Sequence, residues 1–475
     1  MRETLVKTEE FKDSPLGEVP KDWEVVNLGS VLTVLYRYPT YYGIQYVETG
    51  VPEVRGELIL DDGYLDNRLA LYRYISESTA SRFHKVRLEP GDFVLSVRGT
   101  MGKVAMVATE LKGAVITANL IRLQFNQSLV SPQWARHFLL SNIFQDQLDL
   151  ETSATTIKTI QAPALSSMLL RLPSFQEQEH IAEILDTMDE AIAHTSSLIA
   201  KLKQMKAGLL HDLLTRGLDE NGELRDAIAH PEQFKDSPLG RIPKGWEAKP
   251  LEAIADLQVG FAFKSEWFQE HEGIRLLRGE NVGYGSPDWS ETRTLPSKMY
   301  PNYREYELVA GDIIIGMDRT FTKSGFKISV LEPSDVPALL VQRVGRFLPI
   351  GCDRQFLKVL LNSQPYHAAL LAQQKGMDIP HLSKSEILEP LVAVPPVEEQ
   401  RRIATIIDTY DTRIRTEEAY CDKLKLQKQG LMHDLLTGQV RVTSVKPVKE
   451  DSSQIAALTT ASPNAYLHLS HHSYQ

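Results

Sequence analysis

Glycine next to lysine, or histidine next to an acid, is where this chain could carry phosphate or proton chemistry. Gly99-Thr-Met-Gly-Lys103 has the outline of a phosphate-cradling loop, but Val97 stands where the first glycine is required and Val104 where a Ser or Thr would hold magnesium. A turn between two strands is the expected structure. His211-Asp212 and His433-Asp434 repeat one pattern, yet neither has a nucleophile beside it, and helix-end electrostatics explain both. His468, His471 and His472 lie in a Ser- and Thr-rich stretch expected to be a disordered tail. No HExxH or CxxC gives metal-ligand spacing, and no GxGxxG opens a dinucleotide fold. No Asn/Asp-Pro-Pro-aromatic motif of a base methyltransferase occurs, since the one Pro-Pro pair, Pro395-Pro396, precedes a predicted helix. The expectation is a chain without a catalytic centre, which moves attention to how its elements are organised.

With 475 residues, 42% of them hydrophobic and 24% charged, the chain is long enough for about three domains. Such a composition excludes a mostly disordered chain and an integral membrane protein. Two cysteines, Cys352 and Cys421, exclude a disulfide framework and fit a reducing, cytoplasmic compartment. The segment Met1–Glu10 has no apolar core, so no signal peptide is expected. The formal net charge of -10 argues against a nucleic-acid binder.

Internal repetition carries more information. Phe11-Lys-Asp-Ser-Pro-Leu-Gly-Glu-Val-Pro-Lys-Asp-Trp-Glu24 recurs from Phe234 to Glu247, identical at 11 of 14 positions. Lys201-Leu-Lys203…His211-Asp-Leu-Leu-Thr215 recurs 222 residues later as Lys423-Leu-Lys425…His433-Asp-Leu-Leu-Thr437. Between them, Arg55-Gly-Glu57 matches Arg278-Gly-Glu280, and Gly91-Asp-Phe-Val-Leu95 matches Gly311-Asp-Ile-Ile-Ile315. One domain plus one helix has been duplicated. The divisions read as an N-terminal segment (1–20), a mixed α/β domain (21–171), a helix (172–216), a polar linker (217–239), a second mixed domain (240–390), a second helix (391–440) and a disordered tail (441–475).

Each helix carries a heptad seam. From Ile181 it runs through Leu185, Met188, Ile192, Thr195, Ile199, Leu202, Lys206 and Leu209 to Leu213; from Ile403 through Ile407, Tyr410, Ile414, Glu417, Cys421, Leu424, Lys428 and Leu431 to Leu435. Steps of alternately four and three residues mark a coiled coil. Each seam is predicted to pair antiparallel with the other, the coincident polar positions Thr195/Glu417 and Lys206/Lys428 setting register; packing on the helix's own domain or on another subunit is the alternative. Ser174 and Glu177 have capping-box spacing. The predicted fold is therefore α+β: two mixed α/β domains separated by two long helices that form an antiparallel coiled coil, with an internal pseudo-two-fold repeat. Two diverged heads at fixed spacing suit the two half-sites of a duplex.

The repeated Phe-Lys-Asp-Ser-Pro-Leu-Gly…Pro-Lys-x-Trp-Glu, the Gly-Asp-Ile-Ile-Ile-Gly-Met-Asp-Arg run at 311–319, and Pro-Pro-Val-Glu-Glu-Gln-Arg-Arg-Ile at 395–403 resemble the specificity subunit of type I restriction–modification systems. Pro173-Ser-Phe-Gln-Glu-Gln178 is the weaker first copy of the last motif. The resemblance runs to about residue 440. It implies two target-recognition domains that each read one half of a bipartite double-stranded DNA sequence, on helices that act as a ruler. It implies a non-catalytic chain that directs N6-adenine methylation and restriction by modification subunits, two in number, and restriction subunits. Cofactors are expected in those partners (S-adenosylmethionine, ATP and Mg) and none in this chain. Candidate DNA-binding residues are Arg55, Arg98, Lys103, Arg278, Arg319 and Lys323, because arginine and lysine serve base edges and phosphates. A solvated or ion-paired surface arginine is the ordinary alternative at each. Tyr41, Tyr42, Tyr46, Phe261 and Phe263 are candidate aromatic contacts, with core packing as the default. Gln178, His180, Gln400 and Arg402, on faces expected to be exposed, are the candidate partner contacts. A two-headed coiled-coil scaffold for proteins is the competing class, and an unrecognised nuclease or methyltransferase a third.

Charge is distributed unevenly. Residues 172–239 carry 13 acidic against 6 basic side chains, whereas 21–171 balance at 15 each and 240–390 hold 18 basic against 19 acidic. Near-neutral heads predict a chain that binds DNA weakly without its partners.

Overall fold

The computed structural model describes residues 3–37, 44–153, 159–322, 325–373 and 381–444. The chain divides into two compact units, Met1–His194 with Tyr420–Gln475, and Thr195–Ala419.

In the first unit, Gly91-Asp-Phe-Val-Leu95 becomes the strand Phe93–Ser96, which lies between Val104–Met106 and Leu120–Phe125 in an antiparallel sheet completed by Leu32–Arg37. Its run of apolar residues has a simple cause. Phe93 and Leu95 point into a core with Trp23, Trp134, Phe138 and Ile181, while Val94 points into a second core with Val54, Ile75 and Leu88. A strand covered on both faces is apolar on both, and its one polar residue, Ser96, stands at its end. The second core is floored by a smaller sheet, in which Val51–Val54 pairs parallel with Val115–Ile116 and antiparallel with Arg73–Ile75. Helices Pro132–Leu140 and Asn142–Ser153 follow, and Glu24–Asn27 pairs with Leu169–Leu172, which brings the two ends of the domain together.

The second unit repeats this plan. Ile313–Gly316 lies between Ile328–Val330 and Val344–Pro349, with Ala255–Val259 at the edge. Ile313 and Ile315 face one core with Phe347 and Trp246, and Ile314 faces another with Leu340 and Val344. The smaller sheet orders Thr294–Leu295, Ile274–Leu277, Ala338–Leu340 and Glu307–Leu308. Glu247–Pro250 closes on Leu391–Val394 as its counterpart does in the first unit.

The predicted helices span Phe175–Thr215 and Val397–Thr437. None of the 20 seam positions is exposed. In the first unit, Ile181 and Leu185 share a core with Leu435 and Leu436, and Lys428 Nζ lies 2.5 Å from Asp189. In the second, Leu213 and Leu214 share a core with Ile403 and Ile407, and Lys206 Nζ lies 2.5 Å from Asp411. The helices thus run antiparallel within each unit. Each seam lysine meets an aspartate of the facing helix, and Glu417 pairs instead with Arg413 of its own helix at 2.6 Å.

Three expectations differ from the structure. Ser174 accepts from the Glu177 amide at 3.3 Å, but the Glu177 carboxylate turns inward, so the capping box is half-formed. Residues 217–239 include a Leu218–Leu224 bridge and the strand Phe234–Ser237, paired with Gly240–Pro243, because the repeated Phe-Lys-Asp-Ser-Pro-Leu-Gly sequence is itself a hairpin. Residues 441–444 belong to the strand Val440–Ser444, which pairs antiparallel with Glu3–Lys7; the remainder of the expected tail, with its three histidines, lies outside the described residues.

Candidate nucleic-acid interface

The repeated Gly-Asp pair is the foundation of the candidate surface. Gly91 and Gly311 adopt φ of 84° and 86°, turning the chain into the central strand of each unit. Asp92 is wholly buried; it accepts from the Glu89 amide and from Arg122 Nε, both at 2.7 Å, and from Gln124 Nε2 at 2.9 Å. Asp312 repeats this with the Val309 amide at 2.9 Å and Arg346 at 3.1 Å. A buried carboxylate supplied with donors on both oxygens fixes where the strand starts, and hence where the loop at its far end emerges.

In the first unit that loop is Gly99–Lys103. It joins two antiparallel strands, as expected, and is closed by Ser96, whose Oγ donates to the Thr100 carbonyl at 2.7 Å and accepts from the Lys103 amide at 2.9 Å. A strand, Val104–Met106, follows it where a phosphate cradle would need a helix N-terminus. Arg98 is exposed at the tip and has no ion pair among the described residues. Burial and the neighbouring Arg98 push the Arg37 guanidinium below its usual pKa, so two like charges stand together at this edge. Lys103 reaches Asp61 at 3.2 Å.

The corresponding loop of the second unit borders an open cleft of about 340 Å³. Arg278, Arg319, Lys327 and Arg343 line it, against the carboxylates of Glu280 and Asp318. Asp318 accepts from Arg343 Nη1 at 2.7 Å and lies 2.6 Å from His381 Nδ1. Partial burial opposes ionisation of Asp318, but Arg343 and His381 outweigh it and hold the carboxyl below its ordinary range. Lys327 Nζ donates to the Gly279 carbonyl at 3.1 Å. The cleft has an excess of donors and positive charge and can take an anionic ligand with acceptor edges.

The expected site residues therefore separate. Arg278 and Arg319 are brought into one cleft, and Arg98 and Lys103 onto one hairpin. Arg55 and Arg278 occupy equivalent braces: Arg55 pairs with Glu57 and donates to the Leu71 carbonyl at 2.8 Å, while Arg278 pairs with Glu280 and donates to the Glu291 carbonyl at 2.7 Å. Lys323, Tyr41 and Tyr42 lie outside the described residues. Phe261 and Phe263 pack with each other at 5.0 Å and with Tyr303, whereas Tyr46 is exposed beside Arg73. Arg37, Lys327, Gln342 and Arg343 escaped the sequence reading because each stands within or next to an apolar run that reads as strand.

Gln178 and Gln400 are not on an exposed face. They are 0% and 1% exposed. Gln178 accepts from the Ser131 amide at 2.9 Å and donates to the Leu129 and Pro173 carbonyls; Gln400 accepts from the Asp353 amide at 2.9 Å and donates to the Pro395 carbonyl. Both satisfy main-chain groups that the adjacent prolines and helix starts leave without a partner. Arg402 is half-buried and donates to the Asp219 carbonyl at 2.9 Å, and His180 is also half-buried.

One further cluster lies in the first unit. Buried His137 contacts Asp186 at 2.8 Å, and buried Arg136 reaches Asp186 at 2.5 Å, Asp189 at 3.2 Å and the Tyr64 ring at 4.6 Å. The His137 and carboxylate atoms are close enough to share a cation, but Arg136 and Lys428 already neutralise both aspartates. Burial, reinforced by Arg136 and Lys428 against the pull of Asp186, lowers the His137 pKa. This is an ionic joint between a domain helix and the two long helices.

Taken together, the fold and these loops define a duplicated recognition protein: two like units, each a mixed α/β domain on paired helices, with basic loops at equivalent strand ends. The sequence profile of the type I restriction modification DNA specificity domain matches residues 20–204 and again 243–426. The chain belongs to that family and is a specificity subunit with two DNA-recognition domains. It is similar to the type I restriction enzyme MjaVIII specificity subunit of Methanocaldococcus jannaschii, with 27% identity over 92% of this chain and 98% of that one. It is also similar to the EcoAI specificity subunit of Escherichia coli, with 31% identity over 51% of this chain and 39% of that one. A solved structure from work on complex assembly and conformational transition of the type I R-M system superposes with a TM-score of 0.52 at 17% identity, covering 89% of this chain and 99% of that one. Among the described residues, no helix is long and apolar enough to cross a membrane.

Proposed function

We propose that each recognition domain reads one half of a bipartite duplex-DNA target and that catalysis resides in partner subunits. Two modification subunits would methylate adenine and restriction subunits would cleave, with S-adenosylmethionine, ATP and Mg held by those partners. Residues 21–171 and 240–390 are the recognition domains in this reading, residues 172–216 and 391–440 the spacer. The observation that carries it is the repetition of one device: an Asp–Arg-anchored central strand that ends in a basic loop, at Arg98 in one unit and Arg319 in the other. The loops differ while the anchors agree, as two readers of different half-sites require. The Gly99–Lys103 hairpin, closed on itself by Ser96, supports placing nucleotide cofactors elsewhere.

The test is to express the chain with a modification subunit of its own system and map methylated adenines genome-wide. A two-part motif with a fixed gap is expected, and exchanging residues 21–171 for those of another family member should change one part only. Methylation without a motif, or a motif unchanged by the exchange, overturns the reading.

A further inference from the structure

Among the described residues, three that are not glycine hold a left-handed backbone: Glu272 (φ 56°), Arg319 (48°) and Arg343 (64°). Two of the three line the cleft of the second unit. The left-handed region brings Cβ against the following carbonyl, so a residue other than glycine stays there only where its surroundings force it, often at sites of function. The first unit shows what an unforced solution looks like. Gly99 occupies the place of Arg319 after the equivalent strand and takes a φ of 75° without a side chain to strain.

The two strained turns are fastened to each other. The Met317 amide donates to the Arg343 carbonyl at 2.9 Å, and Arg343 Nη1 reaches back to Asp318 at 2.7 Å. Thr320, wholly buried, donates to the Gly316 carbonyl at 2.7 Å and closes the other side of the loop. The cations around this joint are engaged: Arg343 with Asp318, Lys327 with the Gly279 carbonyl, Arg278 with Glu280. Arg319 differs. It is exposed, and neither an ion pair nor a side-chain hydrogen bond holds it among the described residues. Gln342, at the apex of the neighbouring turn, is likewise exposed and its side-chain amide makes no hydrogen bond among the described residues.

We propose that Arg319 and Gln342 are the base-reading side chains of the second domain. A free guanidinium on a rigid turn matches the O6 and N7 of guanine, and a free carboxamide matches the N6 and N7 of adenine. This rests on the proposal that the second domain reads duplex DNA.

The assembled methyltransferase complex, incubated with a library of duplexes randomised one position at a time, tests it through Arg319→Gly and Gln342→Ala. Arg319→Gly fits the left-handed turn, so the variant should fold and melt at the parent temperature or about 2–4 °C above it. Its discrimination in favour of guanine at one position of one half-site should fall about tenfold or more, and Gln342→Ala should do the same at an adenine of that half-site. Discrimination unchanged at every position in both variants, with the bipartite preference intact, overturns the assignment and leaves the reading of the domain standing. Equal weakening on all sequences with a shallower salt dependence makes these residues phosphate contacts and also overturns it. A parent complex with no preference in this half-site overturns the underlying reading.

Discussion

Glu177 and Glu399 show how much one repeated residue can organise. The Trp246 indole donates to Glu399 Oε2 at 3.0 Å, the Leu218 amide donates to Oε1 at 2.7 Å, and Arg225 grips both oxygens. In the other unit Glu177 takes the Trp23 indole at 3.0 Å and Arg441 at 2.5 Å. Each carboxylate joins the start of a domain, the start of one helix and the segment that follows the other helix. Glu399→Ala leaves an indole N–H and a largely buried guanidinium unpaired and should cost about 3 kcal/mol, since breaking a buried pair is far worse than never having formed it. Urea denaturation of the full chain measures this, and a loss under about 1 kcal/mol contradicts it. The sequence displayed both motifs, Pro-Lys-x-Trp-Glu and Pro-x-x-x-Glu-Gln, as repeats. It could not show that they bind each other, because 153 residues separate Trp246 from Glu399 and no local period connects them. Gln178 and Gln400 were misplaced on an exposed face for a related reason: a glutamine on a polar stretch reads as surface until its main-chain partners are known.

Among the elements, the helices were the most legible, because a heptad is a local pattern and burial follows it directly. Sheet order was not legible. Strands as short as Val115–Ile116 pair with Val51–Val54 across some sixty residues, and a two-residue strand has no periodicity to read. The helices also contain a feature that neither the seam nor the packing requires. Gly208 and Gly430 occupy equivalent exposed positions within them, and a Cβ added at either would meet nothing within 4 Å. Glycine in a helix interior is less stable than alanine by about 0.8–1 kcal/mol because it surrenders more backbone entropy. Gly208→Ala and Gly430→Ala should therefore each stabilise the isolated chain by about that amount, and the two together by roughly twice as much, since they belong to separate compact units and independent sites add. Thermal and urea unfolding of the two single variants and the double variant measure it. Destabilisation by either would mean that the open space above the helix is filled.

For the whole molecule, charge is the property that first argued against DNA, and its distribution now gives the objection a different meaning. The net charge is -10, and residues 172–239, with 13 acidic against 6 basic side chains, account for most of the excess. The domains are nearly balanced, and many of their basic groups are internally committed: Arg122 to Asp92, Arg346 to Asp312, Arg55 to Glu57 and Arg278 to Glu280. Each cation held by a carboxylate of its own domain is one less to displace counterions from a phosphate backbone. Each phosphate neutralised contributes about -0.9 to the slope of log affinity against log salt. The isolated chain should therefore bind its target weakly and with a shallow slope, of magnitude about 3 or less. The assembled complex should bind tightly and with a much steeper slope, because its partners would supply most of the phosphate contacts, while the identity of the preferred sequence should stay the same in both. Fluorescence anisotropy of one labelled duplex across a salt series, with and without modification subunits, separates these quantities. A slope for the isolated chain as steep as that of the complex would place the phosphate contacts on this chain, against its charge distribution.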